Sequence, residues 1–163
     1  GPGDPHLLPR IVERAKNKKL IRVGEGNNLV DMIYIDNAVD AHIKAYEKLD
    51  LNSNVAGKCY FVSDDKPVFL WEWIELLLIK LELPSITKTI TFKWAFFLGR
   101  ILEIFYRVFF IKKEPIMTRF LAMQLSKSHY FNISQAKKDF GYKPLIKNEE
   151  GVKRLVSDYF SRQ

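Results

Sequence analysis

Cys59-Tyr60-Phe61-Val62, then Ser63-Asp64-Asp65, then Leu70 to Leu83: this stretch decides the fold class. Four apolar residues without a polar alternation read as a short strand buried on both faces, as strands of parallel sheets are. Beyond it, Leu70, Ile74, Leu77, Leu78 and Leu81 recur at helical spacing, and Pro84 follows the end. A strand feeding an amphipathic helix predicts an α/β chain.

The flanks repeat the alternation. Upstream, Leu20–Val23 reads as a strand, Gly24 to Asn28 as a turn, and Leu29–Ile35 as a second strand. Asp36 or Asn37 can cap the next helix, which runs to about Leu49 with Ala38, Val39, His42, Ala45, Tyr46 and Leu49 expected inward. A first helix near Pro9 places Leu8, Ile11, Val12 and Ala15 on one face. Downstream, residues 85–91 read as a connector and 92–111 as a long aromatic helix. A helix over about 118–125, an extended piece at His129–Phe131 and a helix capped by Ser134 and stopped by Gly141 follow. The last helix starts near Asn148, with Val152, Leu155, Val156 and Tyr159 inward.

At 163 residues and 47% hydrophobic, the chain can bury a core and sits near the size of one domain. Its single cysteine, Cys59, excludes an intramolecular disulfide and fits a reducing compartment. Gly1 is not a start methionine and no secretory leader follows it, so Gly1 reads as an internal position of a longer chain. The net charge is +7, but residues 1–91 hold 12 basic against 13 acidic side chains and residues 92–163 hold 14 against 6. The whole basic excess therefore lies in the aromatic-rich second part. It is either a solvated face or a surface for an acidic partner. Nucleic acid is not expected, because the aromatics belong to an apolar helix and not to a sheet platform.

Few residues offer chemistry. His6, His42, His129 and Cys59 have no metal-ligand spacing, so no metal site is expected. His42 reads as a structural histidine, and Cys59, inside a strand, as core. Gly24-x-Gly26 is no phosphate cradle, since Leu29 stands where a third glycine belongs and a strand follows; a hairpin turn is expected instead. No tyrosine is followed four residues later by lysine. Catalytic residues: none; cofactor-binding residues: none.

Several segments together resemble extended short-chain dehydrogenases. Gly1-Pro2-Gly3-Asp4-Pro5-His6-Leu7-Leu8-Pro9 is similar to the segment after their sixth strand. Residues 23–42, from Val23-Gly24-Glu25-Gly26 through Asp31-Met32-Ile33-Tyr34-Ile35-Asp36-Asn37 to His42, resemble the 3-beta-hydroxysteroid dehydrogenase/isomerase branch, which includes sterol-4-alpha-carboxylate 3-dehydrogenases. His129-Tyr130-Phe131, Ala136-Lys137-Lys138 and Gly141-Tyr142-Lys143-Pro144 agree. Nucleotide-sugar enzymes of this superfamily carry Arg-Asp where this chain has Val30-Asp31; that Arg pairs with a substrate phosphate, and valine cannot.

The resemblance implies the C-terminal part of a Rossmann-type fold plus a smaller, mostly helical substrate-binding region. It implies a parent that uses NAD or NADP to oxidise a secondary hydroxyl of a sterol-like or other hydrophobic substrate. The Gly-rich motif and the catalytic Tyr and Lys of the family precede the Gly-Pro-Gly segment, so this chain alone is expected to be inactive and to need no cofactor. Its expected partners are a hydrophobic small-molecule substrate and the parent's N-terminal half; an anionic membrane surface and a homodimer are the further candidates. The expected location is the cytoplasmic side, peripheral to membrane. The competing reading is a non-catalytic membrane-surface or protein-interaction module.

Two residue sets carry these expectations. Val30, Met32 and Tyr34 alternate with Asp31, Ile33 and Ile35, so either set can face a cleft. Tyr34 is favoured, because a phenol is a polar handle on an apolar wall. In 92–111, Lys93, Arg100, Glu103 and Arg107 make one charged stripe, and Trp94, Phe96, Phe97, Phe105 and Phe109 fall among the apolar residues around it. Each Arg at mid-membrane costs about 2.5–3.5 kcal/mol, which disfavours spanning and favours a helix lying in the interface. A lid or a dimer face is the alternative.

Overall fold

A computed structural model describes residues 1–5, 7–50 and 53–162. The elements in chain order are α1 (Leu7–Lys16), β1 (Ile21–Val23), β2 (Leu29–Val30), α2 (Ile35–Glu47), β3 (Val68–Phe69), α3 (Leu70–Lys80), β4 (Lys88–Ile90), α4 (Phe92–Val108), α5 (Arg119–Ser126), α6 (Ser134–Phe140) and α7 (Asn148–Ser161). β1 pairs in parallel with β4, Ile21 opposite Lys88 and Val23 opposite Ile90. β2 and β3 form a second two-stranded ladder. The chain divides into two compact units.

The unit built from 7–29 and 69–129 holds α1, β1, α3, β4, α4 and α5. Its core joins Ile11 and Ala15 of α1, Val23 of β1, Trp71, Ile74 and Leu78 of α3, Ala95 of α4 and Ala122 of α5. The inward faces of α1 and α3 follow their apolar spacing, with Trp71 added to the predicted set. Two expectations are corrected here. The 85–91 connector contains β4, whose Thr and Ile suit a strand and whose partner lies in β1, distant in sequence. The Gly24–Gly26 segment is a turn with both glycines at positive φ, but not a hairpin: β1 continues into the parallel ladder, and the Gly24 N–H donates to the Ile90 carbonyl.

The second unit comprises 1–5 and the described residues of 30–68 and 130–162. Ala41, Val55, Ile133, Ala136, Phe140 and Tyr142 form its core. Cys59–Val62 is not a buried strand. Among the described residues no strand lies beside it, and Cys59 and Phe61 are exposed. The segment is held by its rings instead: Phe61 stacks on Phe131 at 4.1 Å, and Tyr60 meets Phe140 edge-on. Helix α2 is also rotated from its predicted face. Asn37 and Ala41 are buried, whereas Val39, His42, Tyr46 and Leu49 are exposed. Neither Asp36 nor Asn37 caps it, because Tyr34 takes the N-cap position and Asn37 bonds elsewhere. Ser134 does not cap α6; its N–H donates to Asn132 Oδ1.

One carboxylate ties this unit together. Asp139 Oδ2 accepts from Gln135 Nε2 at 2.8 Å, the Tyr60 hydroxyl at 2.7 Å and Lys58 Nζ at 3.1 Å. These hydrogen bonds, Gln135 first, lower its pKa to about 2. The Tyr60 hydroxyl is pushed up to about 12 by burial and by donating to Asp139. A depressed carboxylate stabilises the fold above its ordinary pKa and loses that contribution as pH falls through the folded value. The urea midpoint of wild type should therefore exceed that of Asp139→Asn at neutral pH. The gap should close as pH falls from about 4 to about 2. A gap that stays constant over that range would remove Asp139 from this role.

Candidate functional site

The predicted pocket residues lie in and just after β2. Val30 is buried and packs as core. Met32 is half-buried, and its carbonyl accepts the Asp64 N–H at 2.8 Å. Tyr34 is buried, whereas Ile33 and Ile35 are exposed, so Val30 and Tyr34 share the inner side of the segment.

Around Tyr34 the polar groups converge. Its N–H donates to Asp64 Oδ1 at 3.0 Å, and Asn37 Nδ2 donates to the same oxygen at 2.7 Å. The Asn37 side-chain oxygen accepts the N–H groups of Leu145 and Ile146, both at 2.9 Å, and its Nδ2 also donates to the Ile146 carbonyl. Burial raises the Asp64 pKa, and the two hydrogen bonds oppose the rise. Nearby, the Tyr142 hydroxyl donates to the Ser63 carbonyl at 2.9 Å and is pushed up to about 12 by burial.

The Tyr34 ring packs under α7, where a Cβ on Gly151 would stand 2.8 Å from it. That ring borders a cavity of about 530 Å³ lined by Pro2, Ile35, Asp36, Arg154, Ser157, Asp158 and Ser161 as well. Arg154 donates to Glu150 at 2.9 Å and reaches Asp36 at 3.5 Å. The hydrogen bond it donates to Glu150, with a further one donated to Tyr34, holds its pKa above the ordinary value. Asp158 is paired with Arg162. The cavity is thus polar and charge-balanced: it can position a ligand, but it brings no nucleophile and base together.

Sequence reasoning singled out Tyr34 but missed Asp64 and Arg154, and it gave Asn37 the wrong task. Apart from the Arg154–Glu150 pair within α7, their partners lie 27 to 118 residues away, beyond any local pattern. Of the aromatic-helix residues, Trp94, Phe97, Phe105 and Phe109 are exposed, whereas Phe96 is half-buried beside Phe92 and the core. The helix ends at Val108, with Phe109 as its C-cap.

The described residues do not fit the pyrophosphate of a dinucleotide. Gly24 and Gly26 join β1 to β2, and no helix N-terminus follows that turn. Among the described residues, no group of three His, Cys, Asp or Glu side chains is placed to hold a metal ion.

The fold has known counterparts. The chain is similar to gox2253, with a TM-score of 0.67 and 19% identity, over 99% of this chain and 46% of that one. It is also similar to UDP-glucuronic acid 4-epimerase from Bacillus cereus in complex with NAD, with a TM-score of 0.60 and 14% identity, over 99% and 42%. These likenesses show the expected α/β fold, part of a Rossmann-type chain. In sequence, the chain is 47% identical to 2-alkyl-3-oxoalkanoate reductase of Shewanella oneidensis over 95% of its length. It is 31% identical to the decarboxylating sterol-4-alpha-carboxylate 3-dehydrogenase of Mus musculus over 98%. It spans 40% and 45% of those two proteins, less than half of each. Residues 1–93 match the family model itself, so the chain belongs to the 3-beta hydroxysteroid dehydrogenase/isomerase family.

Proposed function

We propose that this chain forms the substrate-side, C-terminal part of an NAD(P)-dependent oxidoreductase that interconverts a secondary alcohol and a ketone on a hydrophobic carboxylic acid. The observation that carries this reading is the pair of relatives above. One name specifies a 3-oxo group beside the alkyl-bearing carbon of an alkanoate, and the other a 3-position beside a 4-carboxylate on a sterol. In both, the reacting carbon neighbours the carbon that bears the carboxylate. The higher identity to the alkanoate reductase favours an alkanoate substrate over a sterol. The buried Val30, in the position the nucleotide-sugar enzymes give to arginine, supports an apolar substrate over a phosphorylated one.

A bound nicotinamide would supply or accept the hydride, and the described residues of this chain would not hold its pyrophosphate. The residue of this chain nearest to a role is Tyr34, which offers a phenol at the edge of a cavity.

The test is NADH and NADPH oxidation by the full-length protein with a 2-alkyl-3-oxoalkanoic acid, a 3-oxo-4-carboxysterol and a UDP-sugar in parallel. Turnover of the alkanoic acid is expected, together with a higher KM in Tyr34→Phe. Turnover of the UDP-sugar alone, or of none of the three, would overturn the reading. A full-length protein that turns over none yet binds vesicles would favour the non-catalytic membrane module.

A further inference from the structure

Buried polar groups nearly always find a hydrogen-bond partner. Among the described residues, the buried side-chain atoms that have none are Arg22 Nε, Asn28 Nδ2 and Asn28 Oδ1. All three flank one turn, the link from β1 to β2. Arg22 lies in β1, and Asn28 directly precedes β2.

Asn28 is 2% exposed, so its amide is out of reach of bulk water. The backbone on both sides of it is pinned. The Asn28 carbonyl accepts the Leu70 N–H at 3.1 Å, where α3 begins, and the Leu29 N–H donates to Ser128 Oγ at 3.0 Å. Enclosing a donor and an acceptor without partners is costly, and leucine would fill the same volume without that cost. Folding alone therefore gives no reason for an asparagine here.

Arg22 lies along the same turn. A Cβ on Gly26 would stand 3.1 Å from its Cδ and 3.5 Å from Nε and Nη1. Gly26 thus makes room for a side chain. Gly99 makes room for backbone: there a Cβ would lie 2.6 Å from the Thr118 carbonyl carbon, where α4 meets the start of α5. The Arg22 side chain is one-third exposed, and its ion-pair partner Glu75 stands 3.8 Å from Nη2, too far for a hydrogen bond. The edge formed by Nε and Nη2, which suits a two-oxygen anion, is therefore open. Both nearby glutamates have other donors. Glu75 accepts the Ile86 N–H at 3.0 Å, and Glu25 accepts from Asn27 Nδ2 at 3.2 Å. The segment 126–128 packs on the turn, with Ser126 Cβ 3.0 Å from a Cβ on Gly24, and it brings Lys127 and no acid.

We propose that Arg22 and Asn28 hold the carboxylate of the substrate. The guanidinium edge takes its two oxygens, and Asn28 Nδ2–H adds a hydrogen bond. Asn28 Oδ1 accepts the neighbouring hydroxyl when the substrate is in its alcohol form. This assignment rests on the reading of the substrate as a carboxylic acid.

The experiment is calorimetric titration of the full-length protein, at neutral pH, with a 2-alkyl-3-hydroxyalkanoic acid and with its methyl ester. Wild type should bind the acid about tenfold or more tighter than the ester, since a charged acceptor strengthens each hydrogen bond. Arg22→Gln should bring that ratio close to one, with circular dichroism checking its fold. Asn28→Leu should weaken acid binding about fivefold or more, yet leave the urea midpoint of the ligand-free protein equal or higher. A lower midpoint would show that the amide serves the fold through an ordered water, and would overturn its assignment. Equal binding of acid and ester by wild type, binding of neither, or variants that keep the wild-type preference would overturn the site as a whole. Titration needs no hydride transfer, so the two readings fail separately. The expected binding pattern without turnover would remove the oxidoreductase and keep the carboxylate site. Turnover of the acid by variants that keep the preference would do the reverse.

Discussion

Asn37→Leu is expected to cost about 3–5 kcal/mol of folding stability, read as a lower urea midpoint with an unchanged slope. The side chain is fully buried and makes four hydrogen bonds, to Asp64, the Ile146 carbonyl and the N–H groups of Leu145 and Ile146. Leucine keeps the volume and removes them all. Each buried polar group left unpaired costs about 1–3 kcal/mol, and Asp64 also loses a donor while still enclosed. Asn37→Asp refines the test. It keeps an acceptor for Leu145 and Ile146 but sets a second carboxylate against Asp64, whose pKa is already raised by burial. Like charges so close raise it further. A carboxylate with a raised folded pKa favours the fold below its unfolded value and loses that contribution as pH rises through the folded value. Asn37→Asp should therefore be weakest at neutral pH and recover as pH falls. A loss below about 1 kcal/mol in Asn37→Leu would show that water replaces these bonds.

Asn37 also shows where the sequence stops being readable. The inward faces of α1 and α3 were legible, because there burial and apolar spacing coincide. In α2 they part. The buried anchor is an asparagine whose partners at 145 and 146 are more than a hundred residues away, and the apolar residues around it face solvent. An apolar periodicity reports an amphipathic helix, not which side is covered. The same limit applies to α4: its pattern was visible, but only the close approach at Gly99 shows which face is used and which is left. β4 was hidden because three residues make a strand only through their ladder to β1. Cys59–Val62 has a strand's composition and, among the described residues, no strand beside it. At the candidate site, Tyr34 was found as a polar group in an apolar strand, but Arg154 and Asp64 reach it through the fold alone.

Trp71→Ala is expected to cost about 4–6 kcal/mol, from two separable sources. The indole is almost fully buried among Ile11, Ala15, Val23, Ile74 and Leu78, and removing a large core aromatic costs about 3–5 kcal/mol through lost burial and the cavity left behind. Its Nε1–H also donates to the Leu125 carbonyl at 2.9 Å, near the end of α5, and the truncation leaves that carbonyl without its donor. Trp71→Phe keeps most of the apolar contact and loses the hydrogen bond, so it should cost about 1–3 kcal/mol. Urea unfolding followed by circular dichroism separates the two, since Trp73 and Trp94 would remain to complicate fluorescence. If phenylalanine costs as much as alanine, the hydrogen bond to α5 dominates; if alanine costs under about 2 kcal/mol, the core around α3 can collapse into the space. The bond also fixes the C-terminal end of α5, whose first turn meets α4 at Gly99 and holds Glu103 through Arg119.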